Sequence, residues 1–310
     1  MEAFAWMLVL ALLLDAALGE PEWLWGRVPH PIVVGGRMID WLDRRMNRDT
    51  DSATQRRTAG IIALIVMIAA ALMTGMLLAG LPFGPVLEVI GGAILLAQTS
   101  LTQHVAAVAN GLDRGLEQGR AAVSMIVGRD PESLDEPAVA RAAIESAAEN
   151  FSDGVVAPAF WFLIGGLPGI LFYKIVNTAD SMIGHRTPRH EQFGWAAARL
   201  DDLLNLIPAR LSALLILIAT GSLRGWRTIT AEAPRHRSPN AGWPEAAMAV
   251  ALQIALAGPR RYGGTVVDDH WMNADGRRTV DADDIRQANT HLWRAWAALL
   301  GLTLLTGLIL

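Results

Sequence analysis

The sequence predicts an all-α integral membrane protein with about 4–6 membrane-embedded helices, some broken or re-entrant, and amphipathic cytoplasmic helices beside them. Three observations carry this expectation. Of 310 residues, 52% are hydrophobic and only 18% charged, against about 25% charged in an ordinary soluble domain. The charges are clustered, with long apolar runs between the clusters. One of those runs, residues 60–80, holds 21 residues and no charge at all, enough for about 30 Å of hydrocarbon.

In chain order, the first apolar run is 3–19, AFAWMLVLALLLDAALG. Glu2 precedes it and no base does, so it reads as a retained helix rather than a cleaved signal, with Asp15 near its polar end. Residues 20–58 carry seven Arg and no Lys, which places them in the cytoplasm. His30-Pro31 within them reads as a turn. The run 60–80 follows, then the tight turn LPFGP and a second run at 86–100, together a helical hairpin. Residues 101–153 return to the cytoplasm. Within them 132–150 is amphipathic and too polar to span, with Asp135 or Ser133 as its cap.

The next pair of runs, 154–173 and 203–220, is interrupted. Gly165, Gly166, Pro168 and Gly169 break the first, and Pro208 lies in the second. A broken or re-entrant pair puts the polar segment 174–202 on the inside, whereas two full spans would put it outside. Residues 221–291 hold nine Arg and face inward. The run 246–257 is a short packed helix begun by Pro244 and Glu245 and ended by Gly258-Pro259. The last run, 292–310, leaves the cytoplasm. The organisation is thus a single integral membrane domain over 1–310, with cytoplasmic-facing segments at about 20–58, 101–153 and 221–291.

Several function classes fall away. There is no cysteine, and Lys174 is the only lysine, so thiolate chemistry and the phosphate-binding GxxxxGK[ST] loop are absent. The formal charge is −4 with no basic tail, which does not suit nucleic acid.

Polar side chains gather from Glu145 to Arg210. Glu145, Glu149 and Asp153 recur at every fourth position. On a continuing helix they form either a solvated face or a divalent-cation site, with Asn150 as a neutral oxygen. Asn177-Thr178-Ala179-Asp180-Ser181 reads as a capping turn, or as a loop offering oxygens and N–H groups to phosphate or Mg²⁺. Arg186, Arg189 and Arg199 either grip phosphate or pair with Glu191, Asp201 and Asp202. His185 and His190 lack zinc-site spacing. Asp201 and Asp202 diverge on a helix, with Asn205 one turn on. Arg210 snorkels or pairs with an acid. Asn240, Trp243 and Tyr262 stand in turn-rich segments that either let a ligand approach closely or mark a rigid loop, with the two aromatics suited to packing on a large flat ligand. Two readings follow: an Mg²⁺-dependent membrane enzyme acting on a phosphorylated substrate, or an ion- or proton-coupled transporter with intramembrane carboxylates. Charges at span ends and the lack of an internal repeat favour the enzyme.

These same segments carry a resemblance. LLLDAALGEP at 12–21, HP at 30–31, RAAIESAAENFSDGVVAPAFW at 141–161, NTADSMIGHR at 177–186, FGWAAARLDDLLNLIPAR at 193–210, SPNAGWPEAAMAVAL at 238–252 and GGTVVDD at 263–269 stand in family order. The chain resembles the CobD/CbiB family, the membrane-bound adenosylcobinamide-phosphate synthases of cobalamin biosynthesis. It departs where the family has a Tyr at the position of His185 and usually another at His190, and its late segment is less similar.

The resemblance implies ATP-dependent amide formation between adenosylcobyric acid and (R)-1-aminopropan-2-ol O-phosphate or a related amino-alcohol phosphate, with Mg²⁺ as cofactor and ATP as co-substrate. It implies Glu149, Asp153 and Asp180 as metal or base residues and Asn150, Asn177 and Ser181 as orienting groups. Arg186 and Arg199 would meet phosphate, and Asp201, Asp202 and Asn205 would line the site or secure its arginines. Asn240, Trp243 and Tyr262 would lie near the corrinoid. It further implies a multi-pass protein of the cytoplasmic membrane, its partners the lipid bilayer and these substrates, with the active site facing the cytoplasm. A homo-oligomer, or contact with other enzymes of the pathway, stays open.

Overall fold

The structure, a computed structural model, describes residues 1–127, 132–262, 265–267 and 270–310; for Glu22, 260–262 and 265–267 it describes the backbone alone. The helices in chain order are α1 (Glu2–Leu18), α2 (Glu22–Trp25), α3 (Pro31–Met46), α4 (Ala53–Ala79), α5 (Gly84–Leu95), α6 (Gln98–Arg114) and α7 (Leu116–Val123). They continue with α8 (Glu136–Phe151), α9 (Ala157–Ile183), α10 (Trp195–Leu204), α11 (Leu206–Thr220), α12 (Trp226–Glu232), α13 (Gly242–Leu252) and α14 (Ala282–Ile309). Four stretches are long and apolar enough to cross a bilayer: Ala53–Ala79, Gly84–Arg114, Glu136–Ile183 and Ala282–Ile309. Trp195–Leu204 and Leu206–Thr220 make a fifth if the two pieces count as one span. This is the multi-pass, helical membrane fold that the apolar runs predict.

Local chemistry sets the helix starts. Ser52 and Gln55 form a reciprocal capping box before α4, which satisfies two N–H groups at once. The Asp135 carboxylate accepts from Ala138 N at the head of α8. His30 accepts from Ile32 N with Pro31 in the first turn of α3, so the turn at His30-Pro31 is a helix cap. On α4, Ile61, Ile62, Ile65, Val66, Met73, Met76 and Leu77 are exposed, as expected of a helix whose outer face meets lipid rather than water.

Contacts gather into two compact units. The first is 1–97, 157–205 and 303–310; the second is 98–156 and 206–302. In the first unit, α3, α4, α9 and α10 enclose a core that includes Ile39, Leu42, Met67, Tyr173, Val176 and Phe193. The broken-helix expectation is realised inside α9, where Gly165 and Gly166 leave helical geometry. Gly166 has φ +57, and a Cβ there would lie 2.2 Å from the Glu88 carboxylate. That carboxylate, buried on α5, accepts from Leu167 N at 2.9 Å. It thus satisfies one of the N–H groups that a new helical segment leaves bare.

In the second unit, α8 passes into a π-helical turn at Ser152–Val156. The turn begins just before Asp153, the last member of the four-residue repeat Glu145, Glu149 and Asp153. Glu145 is buried and accepts from Ala257 N at 2.7 Å; it anchors a strand. The helix expected over 246–257 ends earlier, at Leu252. Gln253 turns left-handed at φ 55, and Leu256–Ala257 instead pairs antiparallel with Trp271–Met272. A second short ladder pairs Arg260–Tyr262 with Thr265–Val267.

Candidate functional site

Asn177, Asp180 and Ser181 do not lie in a loop or cap. They belong to the last two turns of α9, which stays helical because Val176, Ala179 and Ile183 on its other face are buried in the core. The polar face meets α10. Asp201 is buried, and its carboxylate accepts from Asn177 Nδ2 at 3.2 Å and from Asn205 Nδ2 at 3.0 Å. The Asn205 carbonyl oxygen in turn accepts from the Tyr173 hydroxyl at 3.0 Å. Asp180 acts electrostatically on Asp201. Tyr173 had no signal in the sequence apart from being one of two tyrosines.

Asp202, next along α10, faces away from this network, as adjacent helical residues must. It borders a polar pocket of about 260 Å³, with Arg57, Arg186, Glu191, Trp195 and Arg199 among the lining residues. Arg199 pairs with Asp202 at 3.6 Å, while among the described residues Arg186 forms no ion pair. Gly184 lines the pocket too, and a Cβ there would stand 1.9 Å from Asp180 Oδ1. Only glycine lets the chain pass so near that carboxylate. A larger cavity of about 400 Å³ lies between α3, α4 and α9, but its walls are apolar apart from Lys174, Thr74 and Thr178.

The loop between α9 and α10 is latched. Arg189 donates from Nε and Nη2 to Asp43 Oδ2, at 3.0 and 2.7 Å. Asn47 Nδ2 donates to the other Asp43 oxygen at 2.7 Å and also to the Arg189 carbonyl at 3.0 Å. Arg56 donates to Asn47 Oδ1 and to that same carbonyl. Burial pushes the Asp43 carboxyl up, but the hydrogen bonds from Asn47 and Arg189 and the Arg189 charge outweigh it and hold the group below the ordinary carboxylate value.

The remaining residues singled out from the sequence lie in the second unit. Glu149 and Asn150 are exposed near the end of α8, and Asp153 is half-buried in the π turn. Asn150 donates back to the Ser146 carbonyl at 2.8 Å. Among the described residues Arg210 pairs with no acid. It donates to Asn240 at 3.2 Å and lies 4.5 Å over the Trp243 ring, so Arg210, Asn240 and Trp243 come together. The Tyr262 side chain lies outside the described residues, as do Asp268 and Asp269. Among the described residues, no three His, Asp or Glu side chains gather as a metal site.

A family model described as CobD/Cbib protein matches residues 8–292. The chain belongs to the CobD/CbiB cobalamin-biosynthesis family. A relative from Rhizobium meliloti, "Cobalamin biosynthesis protein CobD", is 53% identical over 302 residues, covering 93% of this chain and 92% of its own. Proteins of the same name from Brucella anthropi and Rhodobacter capsulatus are 49% and 46% identical, each over 97% of its own length and 98% and 99% of this chain. No solved structure matches. Both the Asp201 network and the arginine-lined pocket fall inside the family match. His190 places Nε2 3.5 Å from Asp43 Oδ2 and so joins the latch.

Proposed function

We propose that the chain is an adenosylcobinamide-phosphate synthase. It joins a side-chain carboxylate of adenosylcobyric acid to the amine of (R)-1-aminopropan-2-ol O-phosphate, or of a related amino-alcohol phosphate, at the expense of ATP. Relatives called cobalamin biosynthesis proteins, similar over nearly the whole chain, support the pathway. The observation that carries the chemistry is the small polar pocket, where Arg186, Arg199 and Asp202 lie beside the glycine that packs on Asp180.

A free carboxylate is a poor acyl donor because oxide is its leaving group. Transfer of the γ-phosphoryl group of ATP to the carboxylate oxygen releases ADP and leaves an acyl phosphate. The amine lone pair then attacks the acyl carbon, phosphate departs with the electron pair of the broken C–O bond, and the nitrogen gives up a proton. Such transfers need charge neutralisation more than a protein nucleophile, which suits a chain without cysteine and with one lysine. Arg186 and Arg199 meet the phosphate of ATP or that of the amino-alcohol phosphate. In this reading Asp180, packed behind Gly184, takes the ammonium proton. Asp201, locked by Asn177 and Asn205, fixes α9 against α10 and so fixes the spacing of Asp180 from the pocket. Mg²⁺ favours one or two carboxylates plus substrate phosphates over a full protein cage. In the first unit Asp180 is a carboxylate of that kind. When bound, the ion supplies further neutralisation of phosphate charge.

The test is direct. Purified protein in detergent receives adenosylcobyric acid, aminopropanol phosphate and Mg-ATP, and the products are separated by chromatography and mass. Adenosylcobinamide phosphate is expected, and Asp180→Asn should lower turnover by about 10²-fold. Absence of product from the wild type sinks the assignment, and proton-driven solute flux in liposomes would put a transporter in its place.

A further inference from the structure

Arg57 begins as one of seven arginines in an N-terminal segment, and the fold carries it to the pocket formed by residues 184–202. Its guanidinium carbon lies 3.5 Å from the centroid of the Trp195 ring. Stacking of this kind uses the flat face of the guanidinium and leaves its edge, where the N–H groups point outward, available for donation. Among the described residues Arg57 has no carboxylate partner. With Arg186 and Arg199 it gives the pocket three cations, while Glu191 and Asp202 line the same space. A small pocket of both signs suits a zwitterion: phosphate on the guanidinium edges, ammonium toward the carboxylates. Its volume of about 260 Å³ lies below the roughly 300–1,000 Å³ of pockets that enclose drug-sized ligands, so it suits a small phosphate better than a whole nucleoside triphosphate.

We propose that this pocket is the seat of the small amino-alcohol phosphate rather than of the nucleotide, and that Arg57, held flat by Trp195, is its third phosphate-binding residue. The proposal rests on the ligase reading for the identity of the ligand. The latch gives the pocket its shape: Asp43, through Arg189, ties down the loop that contributes Gly184, Arg186 and Glu191.

Equilibrium binding of (R)-1-aminopropan-2-ol O-phosphate, inorganic phosphate and ATP to the purified full chain tests it. Arg57→Ala should weaken the amino-alcohol phosphate at least tenfold and leave ATP affinity within twofold. Arg57→Lys keeps the charge but loses the planar fork, and should fall between wild type and Arg57→Ala. Trp195→Phe keeps a smaller ring to stack on and should fall between wild type and Trp195→Ala, which should lose several-fold. Unchanged amino-alcohol phosphate affinity in Arg57→Ala overturns the proposal, as does a matching loss of ATP affinity. If Arg57→Ala does not fold, wild-type affinity in both Arg57→Lys and Trp195→Ala overturns it. Failure of the ligase reading looks different: no amide product forms, yet binding of the small phosphate still depends on Arg57.

Discussion

Asp43 shows how one carboxylate shapes a site it does not enter. It is 7% exposed, and its bonds to Asn47 and Arg189 fasten the loop that carries Arg186. Because the folded carboxyl is held below its ordinary value, it stabilises the fold fully above its unfolded pKa, near 3.9. That contribution is lost as pH falls through the lower, folded pKa. Thermal unfolding in detergent should therefore show wild type losing its margin over Asp43→Asn below about pH 4 and keeping it from about pH 5 to 8. At neutral pH the margin should be on the order of 1–2 kcal/mol, since the Arg189 side chain is 42% exposed and part of its charge stays in water. Single residues were unevenly legible. Asp180 and Asp201 stand out because acids between apolar runs are costly. Arg57 does not, because its place opposite Trp195 depends on a contact between residues far apart in the chain. Tyr173 is hidden for the same reason: its hydroxyl gains meaning only when α10 brings Asn205 to it.

At the scale of the element, the instructive case is α9. Its break is written in Gly165, Gly166 and Pro168, since Gly allows positive φ and Pro suits the first turn of a helix. The group that makes the break tolerable, Glu88, is out of reach of any local pattern. Replacing it by Gln leaves a carbonyl to accept from Leu167 N, whereas Leu leaves that N–H bare. Glu88→Leu should therefore cost about 1–3 kcal/mol more than Glu88→Gln in detergent unfolding. Equal losses would show that the cap has no weight. Gly166→Ala should be destabilised by more than about 1 kcal/mol, from left-handed strain plus the clash with Glu88. The end of α9 departs from the expected capping turn or loop for a physical reason. Asn, Thr, Asp and Ser in close succession usually mark a helix edge, because they compete for backbone hydrogen bonds. Here Thr178 bonds back to the Lys174 carbonyl at 2.7 Å and Asn177 is taken by Asp201, so the helix runs on to Ile183. The helix over 246–257 fails in the opposite sense: hydrophobicity persists to Ala257 while the backbone turns at Gln253, and periodicity cannot separate a buried helix from a buried strand over so short a run.

For the whole molecule, composition alone indicated a membrane fold, and the apolar runs located its helices. Division into two units was not legible, because each unit is assembled from stretches distant in the chain. Sidedness offers a sharp expectation. ATP is cytoplasmic, so the 184–194 loop should be too. The native chain has no cysteine, so Thr187→Cys, at an exposed position, introduces a single thiol. A membrane-impermeant maleimide should label it in inverted vesicles and spare it in intact spheroplasts. Labelling from the outside would remove the proposed site from its nucleotide supply.

The chain of donors from Tyr173 through Asn205 to Asp201 runs in one direction, and that direction has a consequence for which letters can change places. Asp201→Asn alone brings an amide N–H₂ toward the one on Asn205, and Asn205→Asp alone sets two carboxylates face to face. Made together, the exchange puts a donating amide at position 201 and an accepting carboxylate at position 205. The new amide keeps an oxygen to accept from Asn177, and the new carboxylate still accepts from the Tyr173 hydroxyl. The doubly exchanged chain should recover part of what each single change loses, but not the bond from Asn205 Nδ2 to the Asp201 backbone carbonyl. Its negative charge will have moved one helical turn, about 6 Å along α10, which separates the scaffold's need for these bonds from the reaction's need for a charge at one place.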